Sequence, residues 1–273
     1  MSNPQRSAIA AVVFDWAGTT VDHGSLAPVR TLQRVFANRD IPLTDDVARR
    51  DMGMAKRDHI RNLLAEPEVR AEWQRRYQRL AVESDIDELY QEFIPLQMSC
   101  LLDYAQVIDG VIPVVDTLRS RGIRIGGTTG YTRAMLEPLE IAAREQGYWT
   151  DISLCPEDVG AGRPHPFMCY QLAVNLEASP LSACVKIGDT VSDIAEGRNA
   201  GMWTVGVLRT GNMIGLSLQD WNALPTDDKN AALDQAKAVM REHDAHFVIE
   251  SVADALPVIE KIEAHIMQGD QPW

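Results

Sequence analysis

The sequence predicts an α/β protein: a doubly wound parallel sheet that carries an inserted α-helical domain. Three observations lead there. Short, β-branched apolar runs recur and end on Asp or Thr; helical patterns alternate with them beyond residue 110; and residues 25–105 show helical periodicity with no good strand signal. Strands and helices in alternation build a parallel sheet with right-handed crossovers.

The elements follow in order. Residues 9–15 (IAAVVFD) are apolar, end on a carboxylate and run into a Gly-Thr-Thr turn, the pattern of a strand buried on both faces. The interval to the next such run is far too long for one crossover helix. Helical patterns at 28–39, 44–52, 56–64, 68–80 and 84–104 assign residues 25–105 to an α-helical cap domain, leaving 1–24 and 106–273 as the α/β core, with linkers at 21–24 and 104–110. The core then reads helix 111–121, strand 123–129 (IRIGGTT), helix 133–146, strand 152–155, helix 166–175, strand 183–189 (ACVKIGD), helix 192–200 and strand 204–208. Residues 211–244 are polar, contain Trp221 and Pro225, and read as a surface loop and a helix without a chemical signal. A sixth run at 246–250, with Ser251 capping a helix at 252–267, closes the sheet.

Composition sets the outer bounds. A chain of 273 residues fits one large domain or a core with an insert, against a prior of roughly 150 residues per domain. With 45% hydrophobic and 24% charged residues, a buried core can form and wholesale disorder is excluded. Twenty-six basic residues against 39 acidic ones give a net charge of −13, and no basic block is interleaved with aromatics, so a sequence-independent grip on nucleic acid is not expected. The longest apolar runs, such as 9–14 and 111–115, fall far short of the ~20 residues of a membrane span. The four cysteines form no CxxC pair and no apolar signal core follows the N-terminus, which suggests a reducing, cytoplasmic compartment. The expected partner is a small molecule, with neither nucleic acid nor membrane involved. Only five of the basic residues are lysines: Lys56, Lys186, Lys229, Lys237 and Lys261.

Ligands of open parallel sheets sit beyond the carboxyl ends of the strands, which directs attention to Asp15, Thr128, Thr129 and Asp189. Asp193 follows one helical turn after Asp189. Three carboxylates that converge on one crevice repel one another unless a cation intervenes, and an all-oxygen set favours Mg²⁺, which also suits an anionic substrate. The plainer alternative is that Asp189 and Asp193 only cap the helix that follows GDTVSD at 188–193.

These strand ends resemble those of the haloacid dehalogenase-like superfamily of aspartate-nucleophile hydrolases, whose core is Rossmann-like. The resemblance is carried by DWAGTT at 15–20, the strand ending in Thr128 and Thr129, GRPHP at 162–166 and GDTVSD at 188–193, in the right order. It implies Asp15 as nucleophile, Thr128 as phosphate hydrogen-bonder, Arg163 as the cation facing phosphoryl oxygens, and Asp189 as a Mg²⁺ ligand, directly or through water, supported by Asp193. The helical insert matches the mobile cap of that superfamily.

One position departs. Phosphatases of the superfamily carry a second Asp two residues after the nucleophile, which protonates the leaving alkoxide; here Ala17 stands there. Losing a general acid costs about 10²–10⁴ in rate, so an ordinary phosphomonoesterase is not expected. A leaving group whose electrons flow into an iminium needs no such acid. DMGMAKRDH at 51–59 supplies a candidate: Gly53 breaks one helix, and Lys56 and His59, three apart, share a face of the next. A lysine near a cation loses its ammonium more readily and can condense with a carbonyl. By itself a helical lysine is usually a solvated charge, and a lone histidine is usually structural.

Taken together, DWAGTTVD, MGMAKRDH, TTGYT, AGRPHP and GDTVSDIAEGRNAGMWTVGV closely resemble the phosphonatase branch of the superfamily. That resemblance implies hydrolysis of the carbon–phosphorus bond of phosphonoacetaldehyde, in 2-aminoethylphosphonate degradation, through a Schiff base on Lys56 and an aspartyl phosphate on Asp15. It further implies that the backbone carbonyl of Ala17 completes the Mg²⁺ shell and that the chain forms a homodimer. His59 is the candidate for proton transfer at the imine or enamine. Met52 and Tyr131 are candidates for shaping the pocket, and Met52 could equally be a gap-filler of the cap core. Two rivals remain to be weighed: a metal-free haloacid dehalogenase, and a catalytically idle binding module on the same scaffold. A nucleotide-binding reading has neither a P-loop nor a GxGxxG turn after the first strand to support it.

Overall fold

A computed structural model describes residues 7–273. Strand β1 (Ala11–Asp15) runs into a helical insert made of α1 (Leu26–Ala37), α2 (Asp45–Arg49), α3 (Lys56–Ala65), α4 (Pro67–Tyr77) and α5 (Glu83–Cys100). The chain then alternates: α6 (Val111–Ser120), β2 (Arg124–Thr128), α7 (Arg133–Glu145), β3 (Ile152–Leu154), the short α8 (Pro156–Val159), α9 (Phe167–Asn175), β4 (Cys184–Gly188), α10 (Val191–Ala200) and β5 (Trp203–Val207). Two helices, α11 (Leu218–Ala223) and α12 (Thr226–Glu242), precede β6 (Phe247–Ile249), and α13 (Ala255–Gln268) ends the order.

The six strands form one sheet in the order β3-β2-β1-β4-β5-β6, and every pair is parallel. This is the expected doubly wound α/β fold. Strand β1 is buried throughout because helices cover both faces: Val12 and Phe14 join the large cluster with the insert, α6 and α13, whereas Ala11 and Val13 pack with Met168 and Leu172 of α9. The winding reverses between β1 and β4, so the crevice beyond their carboxyl ends is the switch point where such sheets bind ligands. Asp15 ends β1, Thr128 ends β2, and Asp189 follows β4.

Some helices differ from the sequence-based expectation for local reasons. The pattern at 44–52 forms a helix only to Arg49, since Asp51 and Gly53 both have positive φ (57° and 89°). The segment after Ser251 begins with a 3₁₀ turn, Val252–Asp254, before α13 takes over. Residues 211–244 hold two helices where one was expected.

The two linkers of the insert lie side by side. Val21 makes an antiparallel bridge to Val107, and the N–H of Ile108 donates to the carbonyl of Thr20 at 2.9 Å. Asp22 and Gly24 of the first linker, and Ser25 at the start of the insert, all have positive φ (54°, 89° and 50°), a conformation that non-glycine residues rarely adopt. Asp22 holds the start of α1 by accepting the N–H groups of Leu26 and Ala27, each at 3.0 Å. Among the described residues no helix is long and apolar enough to cross a membrane, and the four cysteines are free.

Candidate active site

The strand ends and the insert meet around one small cavity. Asp15, Ala17, Thr129, Tyr131, Arg163 and Thr190 line it from the core, and Ser25, Met52, Gly53 and Lys56 line it from the insert side. Its free volume is about 20 Å³, room for roughly one water molecule. The insert is therefore closed down on the core. Gly53 and Gly130 permit that approach: a Cβ on Gly53 would come within 2.5 Å of the Thr190 hydroxyl, and one on Gly130 within 2.4 Å of the Met54 carbonyl.

Lys56 opens α3, and its amine is buried between the two halves. Nζ lies 3.5 Å from Met52 Sδ and 5.9 Å from the centre of the Tyr131 ring. Burial pushes this amine down to about 8; Asp15 and Asp189 pull the other way, and Arg163 adds to the lowering. His59, one turn on, is wholly buried beside the backbone of Ala48 and Arg50, and neither ring nitrogen has a well-formed hydrogen bond. Burial and the charge of Lys56 hold its imidazole neutral, well below the ordinary histidine range. Met52 packs in the buried core of the insert and also lines the cavity.

Asp15, Asp189 and Asp193 each present an oxygen within 4.8 Å of the others, and all three are buried. Their surroundings differ. Asp193 completes a capping box with Thr190, the N-cap of α10, accepting its N–H at 3.2 Å and its hydroxyl at 2.6 Å. Against the effect of burial, Arg163 and Lys186 hold Asp193 below the usual carboxylate range. Asp189 is no cap: it accepts the Thr19 hydroxyl at 3.1 Å and the N–H of Asn212 at 2.7 Å. Burial, then the charges of Asp15 and Asp193, push its pKa well up. Asp15 is raised as well, by burial, although Arg163 opposes the shift.

Arg163 is the hub of the charge network. Its Nη2 donates to Asp15 Oδ1 at 2.6 Å and to the Thr128 hydroxyl at 2.7 Å; its Nε donates to Glu196 at 2.9 Å; and its Nη1 reaches Asp193 at 3.1 Å and the Gly53 carbonyl of the insert at 3.3 Å. Lys186, in the middle of β4, bonds Asp193 at 2.7 Å and Glu196 at 3.4 Å. Glu196 also accepts the Thr128 hydroxyl at 3.1 Å. Thr129 Oγ1 accepts the N–H of Tyr131 at 3.1 Å and holds the turn under Lys56.

Lys186, Glu196 and Asn212 were not singled out from the sequence. Two signals pointed to the first pair: a lysine inside a fully buried strand must find a carboxylate, and Glu196 lies three residues after Asp193 on one helix face. Asn212 carried none, because the long polar segment that contains it reads as surface.

The residues present suit a hard divalent cation. The converging donors are carboxylate oxygens without His or Cys, the set Mg²⁺ prefers. Three buried carboxylates, Asp15, Asp193 and Glu196, share two buried cations, Arg163 and Lys186, in salt bridges, and Asp189, also buried, is met by hydrogen-bond donors from Thr19 and Asn212 and by neither cation. Glycines keep the backbone clear of Asp189: a Cβ on Gly18 would sit 2.2 Å from its Oδ2.

Fold and site together define a haloacid dehalogenase-like hydrolase, and the family model of that description matches residues 9–201. The phosphonoacetaldehyde hydrolase of Bacillus cytotoxicus is 46% identical over 255 residues, covering 93% of this chain and 97% of its own. That of Hahella chejuensis is 44% identical over 267 residues, covering 98% and 91%. The crystal structure of a phosphonoacetaldehyde hydrolase-like protein from Oleispira antarctica aligns with a TM-score of 0.95 at 38% identity, covering 100% of this chain and 99% of that one. The chain belongs to the phosphonoacetaldehyde hydrolase family of the haloacid dehalogenase-like hydrolases.

Proposed function

We propose that this protein hydrolyses the carbon–phosphorus bond of phosphonoacetaldehyde to acetaldehyde and phosphate, serving 2-aminoethylphosphonate degradation. The observation that carries the reading is the placement of Lys56, a buried amine of lowered basicity, in one cavity with Asp15 and Arg163. The Lys56 amine condenses with the aldehyde, water leaves, and the resulting iminium becomes an electron sink. Asp15 attacks phosphorus; the C–P electrons pass into the iminium to give an enamine, so no acid is required at position 17. The proton the amine gives up on adding passes to the carbonyl oxygen, a second proton from solvent lets that oxygen leave as water, and a third protonates the enamine carbon; neutral His59 is the candidate relay for these transfers. Water then hydrolyses the aspartyl phosphate and the imine. Arg163, held by Glu196 and Asp193, and Thr128 face the phosphoryl oxygens. Mg²⁺, which Asp15, Asp189 and the Ala17 carbonyl would hold with Asp193 in support, supplies neutralisation of the charge on those oxygens. A metal-free dehalogenase would have no use for three converging buried carboxylates, and an idle binding module none for a lysine of lowered basicity beside them.

Phosphate and acetaldehyde should appear in equal amounts from phosphonoacetaldehyde, cease in excess chelator and return with Mg²⁺. Simple phosphomonoesters should react at least about 10²-fold more slowly, since no general acid serves their alkoxide. Full activity in chelator, or a preference for phosphomonoesters, would remove the proposal.

The state of Lys56 also sets a pH dependence. Only the neutral amine condenses with an aldehyde, so with a pKa of about 8 the rate at limiting substrate should rise roughly fivefold from pH 7 to pH 8 and about twofold more before it levels off. A rate that is flat or falling over that interval would show that Lys56 does not act as a free amine.

The closed cavity has no room for the substrate, so the insert must open to admit it, with the linkers at 21–24 and 104–110 absorbing the motion.

A further inference from the structure

We propose that Arg49 and Asn212 are positioning residues that couple closure of the insert to the binding of a divalent cation at Asp189. The inference deepens the metal reading above and rests on it. Arg49, the last residue of α2, reaches out of the insert: its Nη1 donates to the Gly24 carbonyl at 2.9 Å and to Asn212 Oδ1 at 3.1 Å, and its Nη2 donates to the Gly215 carbonyl at 2.8 Å. Asn212 answers with its Nδ2 on the Arg49 carbonyl at 3.2 Å, while its backbone N–H holds Asp189 Oδ2 at 2.7 Å. One residue therefore grips the insert with its side chain and the metal carboxylate with its backbone.

The seat is built for this arginine. A Cβ on Gly215 would lie 2.4 Å from the Arg49 guanidinium carbon, and one on Gly211 would lie 2.4 Å from Asp189 Cβ. Asn212 is 4% exposed and Asp189 is wholly buried, so neither bond is replaced by water while the insert is down. If the insert leaves, Arg49 takes with it both bonds to Asn212, and the donor that fixes Asp189 is freed to move. Linkage makes the effect reciprocal: an ion that needs Asp189 in place favours closure by the same factor by which closure favours the ion.

The test needs no substrate. Mg²⁺ affinity is measured by calorimetry, and closure is measured by hydrogen exchange of the backbone amides at 50–56 with and without Mg²⁺. In the wild-type chain Mg²⁺ should slow that exchange several-fold. Arg49→Met and Asn212→Ala should each weaken Mg²⁺ binding about tenfold and abolish the slowing, and Arg49→Lys, which keeps the charge and one of the bonds, should fall between. If Arg49→Met does not fold, Arg49→Lys and Asn212→Ala carry the comparison. Variants that bind Mg²⁺ within twofold of wild type, or in which Mg²⁺ slows exchange as before, would overturn the coupling alone. A wild-type chain that binds no Mg²⁺ would overturn it together with the metal reading.

Discussion

Arginine in place of Lys56 should cost nearly as much activity as alanine does, each falling on the order of 10³-fold or more. The two substitutions divide the roles a cation could play here. Arginine keeps the charge beside Asp15 but stays protonated and cannot condense with an aldehyde; alanine loses both functions. Because the cavity is narrow, at about 20 Å³, a guanidinium could also fail by its bulk, so a chemical trap accompanies the kinetics. Borohydride added with phosphonoacetaldehyde should reduce the imine to a stable secondary amine, inactivate the wild-type protein and add mass to the peptide bearing Lys56. Substrate-free protein should be spared. Should the arginine variant keep more than about a tenth of the rate, a loss under ~1.4 kcal/mol of transition-state stabilisation, and no adduct form, Lys56 is a binding charge and the imine is ruled out.

Asparagine at position 15 should abolish release of both products, a loss of about 10⁴-fold or greater, because an amide cannot take the phosphoryl group. The fold should persist, with the melting temperature within a few degrees of wild type. Asn preserves the shape of the side chain, and it removes one of three crowded carboxylates, each buried. The same variant should still form the Lys56 imine, so borohydride should continue to label it. That combination, trapping without turnover, separates the covalent step on the insert from the transfer step on the sheet. A substantial rate in Asp15→Asn would take the nucleophile's role away from Asp15.

The sheet was legible because its strands are largely buried and read as short runs rich in apolar and β-branched residues; all six appear where those runs lie. Strand ends then placed Asp15, Thr128 and Asp189 in one crevice, and the insert brought Lys56 to the same cavity. What the sequence concealed was the set of partners that hold these groups in place. Lys186 stands inside an apolar run and Glu196 inside an ordinary helix; their meeting under Arg163 depends on how α10 lies against β4, a tertiary fact with no local periodicity. Asn212 sits in a polar stretch whose composition is that of exposed loops, yet it is buried because the insert folds over it. Asp193 belongs both to the capping box of α10 and to the carboxylate cluster, so capping alone does not describe its surroundings.

Two of the five lysines are buried near the same crevice, and their neighbours give them opposite chemical characters. Lys186 is clasped by Asp193 and Glu196, and against burial those carboxylates raise its pKa. Lys56 has a thioether and an aromatic face for close company, and its ammonium is correspondingly easy to discharge. An aldehyde admitted to the cavity has only Lys56 of these two amines within reach, since Lys186 is wholly buried and outside the cavity wall. Under the mechanism proposed above, adducts are therefore expected on Lys56 alone. The lysine that shares Asp193 and Glu196 with Arg163 is kept out of such chemistry by burial and by charge pairing together.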